Sequence, residues 1–426
     1  MPERSHNIQL TASLLQEKTM RITLSVTLLS FLLISLSWLF HLSNITAEQI
    51  ATETLPGAQP TIQAAHFPTI QAALDSVPKT GGHVRLPAGT FQISEPLRVT
   101  TDDTCLEGAG TATHIVNTNE NGQPAILLAN PDISLAGRDA KHELWRIRLA
   151  NLRVTGNPQS GHGIEARGVN EIFVDGVTVS NHGGDGILLN LCYEDPRLCD
   201  SLITYNKGVG VNLLGCHDIV VSSNQFEENQ DALHCKDGFN LCMTGNCLDD
   251  HLGDGVVIEN TYGSVLSGNM IEECNGTAII LDRDCYGITL SANVIAHNGA
   301  GIDLRDAHGS AISANTLTIM KTMALRIGPQ SSRIAVTGNS FSNSFVGNGT
   351  VRRGSDDFAA AGIFLDATTN VGIVGNTFSS VRPQAIASGK NQAGTGLLIS
   401  GNLLVDVENE LISPPQSHVE NNLARD

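Results

Sequence analysis

From Gly163 onward the chain repeats one arrangement of apolar and polar positions. Each unit opens with a small residue, follows with an aliphatic one, and then alternates. The openings fall at Gly163, Gly186, Gly210, Ala232, Gly255, Ala278, Gly301, Ala324 and Gly362, about 23 residues apart except for a longer last step. In Gly301-Ile302-Asp303-Leu304-Arg305 and Ala278-Ile279-Ile280-Leu281-Asp282 the second and fourth residues are aliphatic, while the third and fifth are free to be polar. A period of two predicts a strand with one buried face. A second short strand follows in Ile219-Val220-Val221, Ile288-Thr289-Leu290, Ile334-Ala335-Val336 and Ile373-Val374, and then a turn on Gly-Asn or Ala-Asn. No such unit buries its apolar face alone, but stacked units bury a continuous column. The pattern predicts an all-β chain wound as a parallel β-helix solenoid.

Two further columns keep the same period. Asn224, Asn246, Asn269, Asn293, Asn315, Asn339 and Asn376 recur at one place in the coil, where stacked amides bond to one another and to the turn backbone. Tyr193, His217, Phe239, Tyr262, Cys285 and His308 recur seven residues after the openings and predict a stack of flat side chains along one edge.

Ahead of the repeats, Phe67 to Val77 reads as a short amphipathic helix after Pro68, with Ile70, Ala73, Leu74 and Val77 on one face. A solenoid exposes an apolar end, so a capping helix there has a physical task. The run Phe-Pro-Thr-Ile-Gln-Ala-Ala-Leu-Asp (Phe67 to Asp75), followed by Gly-Gly-His-Val-Arg-Leu-Pro-Ala-Gly-Thr-Phe (Gly81 to Phe91), resembles the N-terminal cap of the pectate-lyase-like superfamily of right-handed parallel β-helix proteins. The Gly-Ile-x-Leu and Gly-Asn repeats are similar to that superfamily's coils. The resemblance covers roughly residues 66 to 422 and implies a right-handed winding. It also implies a carbohydrate-directed activity on the outer face of one sheet. The superfamily holds lyases, epimerases, hydrolases, phage tailspikes and periplasmic copper-delivery proteins, so no single reaction follows from it. Three segments result: 1–47 as N-terminal signal or membrane anchor, 48–66 as linker, and 67–426 as the β-helix.

Ile22 to Leu42 carries no formal charge and follows Lys18 and Arg21. It is long enough to span a bilayer and also reads as a signal core. Either reading sends the bulk of the chain out of the cytosol, periplasmic, surface-bound or secreted, with the membrane touched only through this segment. Nine cysteines suit an oxidising compartment. Cys192 with Cys216 in the next coil, or Cys192 with Cys199 across a loop, are the candidate disulfides. Asn44, Asn275 and Asn348 lie in glycosylation sequons. A formal charge of -18 with only 25 Lys and Arg excludes a nucleic-acid partner. It also means that an acidic sugar polymer needs a local basic face or a bridging cation.

Candidate chemistry comes from the outward positions. The third-position column reads Glu165, Leu188, Asn212, His234, Val257, Ile280, Asp303, Arg326 and Phe364; the fifth reads Arg167, Asn190, Leu214, Lys236, Glu259, Asp282, Arg305, Gly328 and Asp366. Neighbours in a column stand one strand spacing apart, ~4.8 Å. Lys236, Glu259, Asp282 and Arg305 should therefore form a row flanked by His234, Asp303 and Arg326. Abstracting the C5 proton of a uronic sugar needs a poised base and a positive partner for the carboxylate. We take His234, Lys236, Asp282 and Arg305 as candidate catalytic residues. Glu259, Asp303, Arg326, Arg352 and Arg353 are candidate substrate contacts, and Glu259, Asp282 and Asp303 are candidate Ca²⁺ ligands. Arg352 and Arg353 belong to a polar, Gly-rich insertion at 343–358, a candidate lip for a groove. The expected function is action on a polysaccharide, foremost lyase-type β-elimination of a uronic-acid polymer. The alternative is a non-catalytic surface or polysaccharide-binding protein, in which the charged row merely pairs across strands.

Weaker signals remain. Gly161-His162-Gly163 copies one short polygalacturonase motif, but the family's Asn-Thr-Asp, Asp-Asp and Arg-Ile-Lys motifs are missing, as is the Asp-Pro-His-Asp of alginate epimerases. His182-Gly-Gly-Asp185 is a candidate turn pair. Asp249-Asp250-His251 with Asp254 reads either as a Ca²⁺ site or as a solvated acidic turn.

Overall fold

The computed structural model describes residues 55–59, 61–342, 361–389, 394–407 and 416–425. The N-terminal signal or anchor, residues 48–54 and 60 of the linker, and the insertion bearing Arg352 and Arg353 lie outside the described residues. No described helix is long and apolar enough to cross a membrane.

Residues Pro60–Asp426 form one compact unit. It is a solenoid of about 14 turns and about 24 residues per turn, wound to the right. Three parallel sheets of 12, 17 and 14 strands run its length among the described residues, with a two-stranded ribbon beside them. One coil shows the pattern. Val209–Leu214 lies in the 12-stranded sheet, Val220–Ser222 in the 17-stranded sheet and Gln225–Glu227 in the 14-stranded sheet. The next coil re-enters the first sheet at Asp231–Lys236, where Val211 pairs with Leu233 and Asn212 with His234. Inward positions such as Val211, Leu213, Val221 and Phe226 are wholly buried.

The small opening residue has a steric cause. A Cβ built on Gly301 would stand 2.1 Å from the Ala324 carbonyl oxygen, and one on Gly255 would stand 2.4 Å from that of Ala278. Each opening residue therefore touches the backbone of the next coil. Gly301→Val should force the two coils apart and destabilise the solenoid by about 1–3 kcal/mol, as overpacked interiors do. An unchanged thermal midpoint in this variant would remove the steric explanation.

The asparagine column forms as expected and extends further. Side-chain amides bond in series from Asn224 through Asn246, Asn269, Asn293, Asn315, Asn339, Asn376 and Asn402 to Asn422, with N–O distances of 2.9–3.0 Å. The residue ahead of each asparagine bends the chain in the left-handed region, as at Gly268 (φ 67°) and Ala314 (φ 55°). Glycine takes this conformation without a Cβ clash and stands there at Gly245, Gly268, Gly338, Gly375 and Gly401.

The flat-side-chain column needs one correction. Ring contacts run Tyr193, His217, Phe239, Tyr262. The next rung is Tyr286, in backbone register with Tyr262 and His308, not Cys285. Left-handed Arg283 and Asp284 make this turn one residue longer, so Cys285 turns inward and is fully buried.

The capping helix, α1 (Ile70–Asp75), is shorter than the predicted Phe67–Val77. Thr69 caps it by accepting the Ala72 amide at 3.0 Å, and Ala73 and Leu74 face the core. Its Gln71 binds both backbone groups of Arg98 in the first strand of the 12-stranded sheet, thereby closing that edge. The solenoid begins before Phe67: Thr61–Gln63, within the stretch read as linker, already pairs with Gly82–Arg85.

All nine cysteines are free thiols, so neither expected disulfide is present. Cys192 and Cys216 lie buried in neighbouring coils, and burial together with the Cys192 thiol pushes the Cys216 thiol well up. Cys199 lies beside Ser222 at 3.3 Å instead.

Candidate functional site

The 12-stranded sheet presents the third and fifth columns outward. Lys236 pairs in register with Glu259 and Glu259 with Asp282, while Asp303 pairs with Arg326. Arg305 follows directly on the strand Ala300–Leu304. The predicted row therefore exists, and its charges are matched throughout. Glu259 lies between Lys236 (3.8 Å) and Arg283 (3.1 Å). Arg305 reaches Asp282 (3.7 Å) and Asp303 (2.9 Å). Arg326 bridges Asp303 (3.3 Å) and Asp366 (2.8 Å). Arg283 was outside the columns read from the sequence, because it belongs to the turn with the extra residue.

This pairing bears on each expected role. Burial opposes the charge on Arg305, but its hydrogen bond to Asp303 and the fields of Asp282 and Asp254 outweigh it and hold the guanidinium above its ordinary value. Arg326 is raised in the same way by Asp366 and Asp303 against burial. Both stay charged and act as hydrogen-bond donors rather than bases. Glu259, Asp282 and Asp303 each already face a guanidinium or ammonium, so as placed they do not fit a Ca²⁺ ion. Among the described residues, the acidic group whose ligand oxygens lie within 4.8 Å of one another is Asp249, Asp250 and Glu273, beside the 14-stranded sheet. There the Asp250 carboxyl is pushed up to about 6, by burial first and then by Glu273 and the other carboxylates.

His234, Lys236 and Glu259 are brought together. With Asn212, Leu214, Cys235 and Val257 they line a depression of about 260 Å³. The His234 Nε2 sits 3.0 Å from the Asp231 carboxylate, three residues back in the same coil. Asp231 also accepts the Asp254 amide. Burial would raise the Asp231 carboxyl, yet His234 and this amide overcome it and keep the group below its usual range. A carboxylate on one ring nitrogen fixes the imidazole's orientation and leaves Nδ1 for other work. Sequence reasoning missed Asp231. Its signal is the residue just before a coil opening, a place shared with His162, Asp185 and Asp254.

The weaker candidates resolve differently. Asp185 engages the neighbouring coils, accepting from the Val209 amide at 2.8 Å and from Asn212 at 3.0 Å. Its histidine partner is His162, whose Nδ1 accepts the Asp185 amide. His182 points inward and is fully buried, as is His251, and the Nε2 of each lacks a hydrogen-bond partner.

No curated protein matches the chain in sequence. Among solved structures, the A-module of the Azotobacter vinelandii mannuronan C-5 epimerase AlgE6 superposes with a TM-score of 0.57 at 15% identity, over 85% of this chain and 99% of that one. Tailspike protein 3 of bacteriophage CBA120 gives 0.56 at 11%, over 85% of this chain and 65% of that one. PfbA, a surface adhesin of Streptococcus pneumoniae, gives 0.53 at 12%, over 78% and 93%. These likenesses concern the fold. The family model for the right-handed β-helix region matches residues 110–262, 194–350 and 254–423. With coils in parallel register through the described residues of that stretch, the chain belongs to the right-handed β-helix family, within the pectate-lyase-like superfamily.

Proposed function

We propose that this protein acts on a polysaccharide outside the cytosol, at the depression on the 12-stranded sheet, by β-elimination at a uronic-acid unit. The observation that carries the reading is His234, oriented by Asp231, beside Lys236. In this scheme neutral His234 takes the C5 proton, and the C5–H electrons form the C4–C5 double bond. The C4–O bond breaks, and the leaving oxygen takes a proton from water. Lys236 faces the sugar carboxylate and the charge that develops on it. A mannuronan C-5 epimerase stands among the structural neighbours, and a surface adhesin and a tailspike point to a place outside the cytosol. The closed ion-pair row supports a second reading, a non-catalytic polysaccharide-binding protein.

The test is full-length protein against uronic and neutral polysaccharides, with and without Ca²⁺, following ultraviolet absorbance of unsaturated products and new reducing ends. Rising absorbance is expected, with His234→Ala losing about 10²–10⁴-fold in rate, as for a missing general base. Reducing ends without absorbance would mean hydrolysis. Silence in both, with retained binding to the polymer, would favour the binding protein.

A further inference from the structure

Each coil of the row leads into a turn that carries a ring. Phe239 follows Lys236 by three residues, Tyr262 follows Glu259 by three, and His308 follows Arg305 by three. The backbones of His217, Phe239, Tyr262 and Tyr286 are joined by parallel bridges, and Tyr286 pairs with His308. The rings therefore repeat at the coil spacing, on the turns that follow the strands lining the depression. Centroids stand 4.7 Å apart for Tyr193 and His217, 4.6 Å for His217 and Phe239, and 5.4 Å for Phe239 and Tyr262.

Stacking alone does not account for the strip. Phe239 is 41% exposed and Tyr286 48%, in a chain whose aromatic content is only 4%. Exposed rings set in a rigid row mark a contact surface. Their flanks are polar and acidic: Asp218 holds Asn240 at 2.8 Å, Asp237 holds Asn260 at 2.7 Å, and Asp284 receives the Tyr262 hydroxyl at 3.4 Å. Carboxylate and amide groups of this kind bind sugar hydroxyls, while rings take the apolar C–H faces of a pyranose. The same carboxylates repel a polyanion.

We propose that this aromatic strip is a binding edge for uncharged sugars, in a glycan that runs parallel to the solenoid axis beside the His234 depression. The proposal rests on the reading of the protein as polysaccharide-acting and narrows its substrate to a mixed polymer. A uronic unit faces Lys236 and uncharged units lie along the rings. Rigid rings contribute contact area with little loss of side-chain freedom.

Affinity electrophoresis or calorimetry of full-length protein on a neutral glucan and galactan panel, a heteropolysaccharide of uronic and neutral sugars, and a homopolyuronate tests it. Binding to the neutral or mixed polymers should exceed that to the homopolyuronate. It should fall at least tenfold in Phe239→Ala and in Tyr286→Ser. Circular dichroism checks that the variants fold. Glycan binding or turnover that both ring variants leave unchanged, or a preference for the homopolyuronate, would overturn the strip while leaving the polysaccharide reading intact. No binding to any glycan would remove both. Capture of a protein in place of glycan, lost in the ring variants, would also overturn it.

Discussion

Replacing Asn293 by leucine is expected to destabilise the solenoid by about 3–5 kcal/mol, from four buried hydrogen bonds lost and one backbone donor left without an acceptor. Asn293 is 1% exposed and uses its whole amide. Its oxygen accepts from both the backbone and the side-chain nitrogen of Asn269, and its own nitrogen donates to Asn315 and to the Leu266 carbonyl. Leucine matches the volume but supplies none of these four bonds: the Asn269 backbone N–H loses its acceptor, the Asn269 side-chain nitrogen keeps only the Met243 carbonyl, and the Asn315 oxygen keeps only the Asn293 backbone N–H. Because coils contact only their neighbours, the break should divide the rod into two cooperative units. Denaturant unfolding followed by circular dichroism measures the loss. Asn422→Leu provides the contrast: Asn422 ends the row and is half-buried, so water can replace its missing bonds. A loss below about 1 kcal/mol at Asn293, less than one net hydrogen bond, would show that the column adds little.

Acid should unfold this protein through two buried histidines, His182 and His251. Burial lowers His182 from an ordinary value of 6.5 to about 4, against a backbone hydrogen bond with Val154 and with the help of the His162 charge. Burial lowers His251 likewise to about 4, against the Asn229 backbone and Asp231. The unfolded chain binds these protons near 6.5 and the folded chain only near 4. Between those values the unfolded state holds more protons, so stability is full above pH 6.5 and falls as pH drops toward 4. Each histidine withdraws about 3 kcal/mol once both states are charged, from about 1.4 kcal/mol per unit of pKa difference. His251→Asn should flatten this slope by about half. It also suits the column, since Asn206 already donates to Asn229 one coil away and Asn298 serves Cys274. Equilibrium unfolding from pH 7.5 to 4.5 compares the two proteins. An unchanged slope in His251→Asn would place the acid sensitivity elsewhere.

Much of the fold was legible because a solenoid writes its contacts into the sequence at one period. The Gly and Ala openings, the aliphatic alternation and the asparagine column each repeat a local rule, and each local rule corresponds to one contact between adjacent coils. The column read to Asn376 continues through Asn402 and Asn422 on the same chemistry. Where the period slips, the reading slipped with it. The extra residue before Cys285 moved Tyr286 into the ring column and Arg283 onto Glu259, and no local propensity marks which of two adjacent residues turns outward.

The site was legible in its columns and not in its partners. Register alone placed Lys236, Glu259 and Asp282 in one row, because parallel strands pair like positions of successive coils. That Asp231 grips His234, while Asp185 binds Val209 and Asn212 instead of His182, depends on how a turn folds back over the sheet. The solenoid, its coil length and the residues that share a face follow from periodicity and from backbone pairing at a constant spacing, so the order of residues is enough to specify them. Which charges neutralise one another, which histidine is held ready and which are buried emerges only once the coils have stacked. These outcomes depend on side-chain reach and burial across coils, distances that no repeat in the sequence encodes.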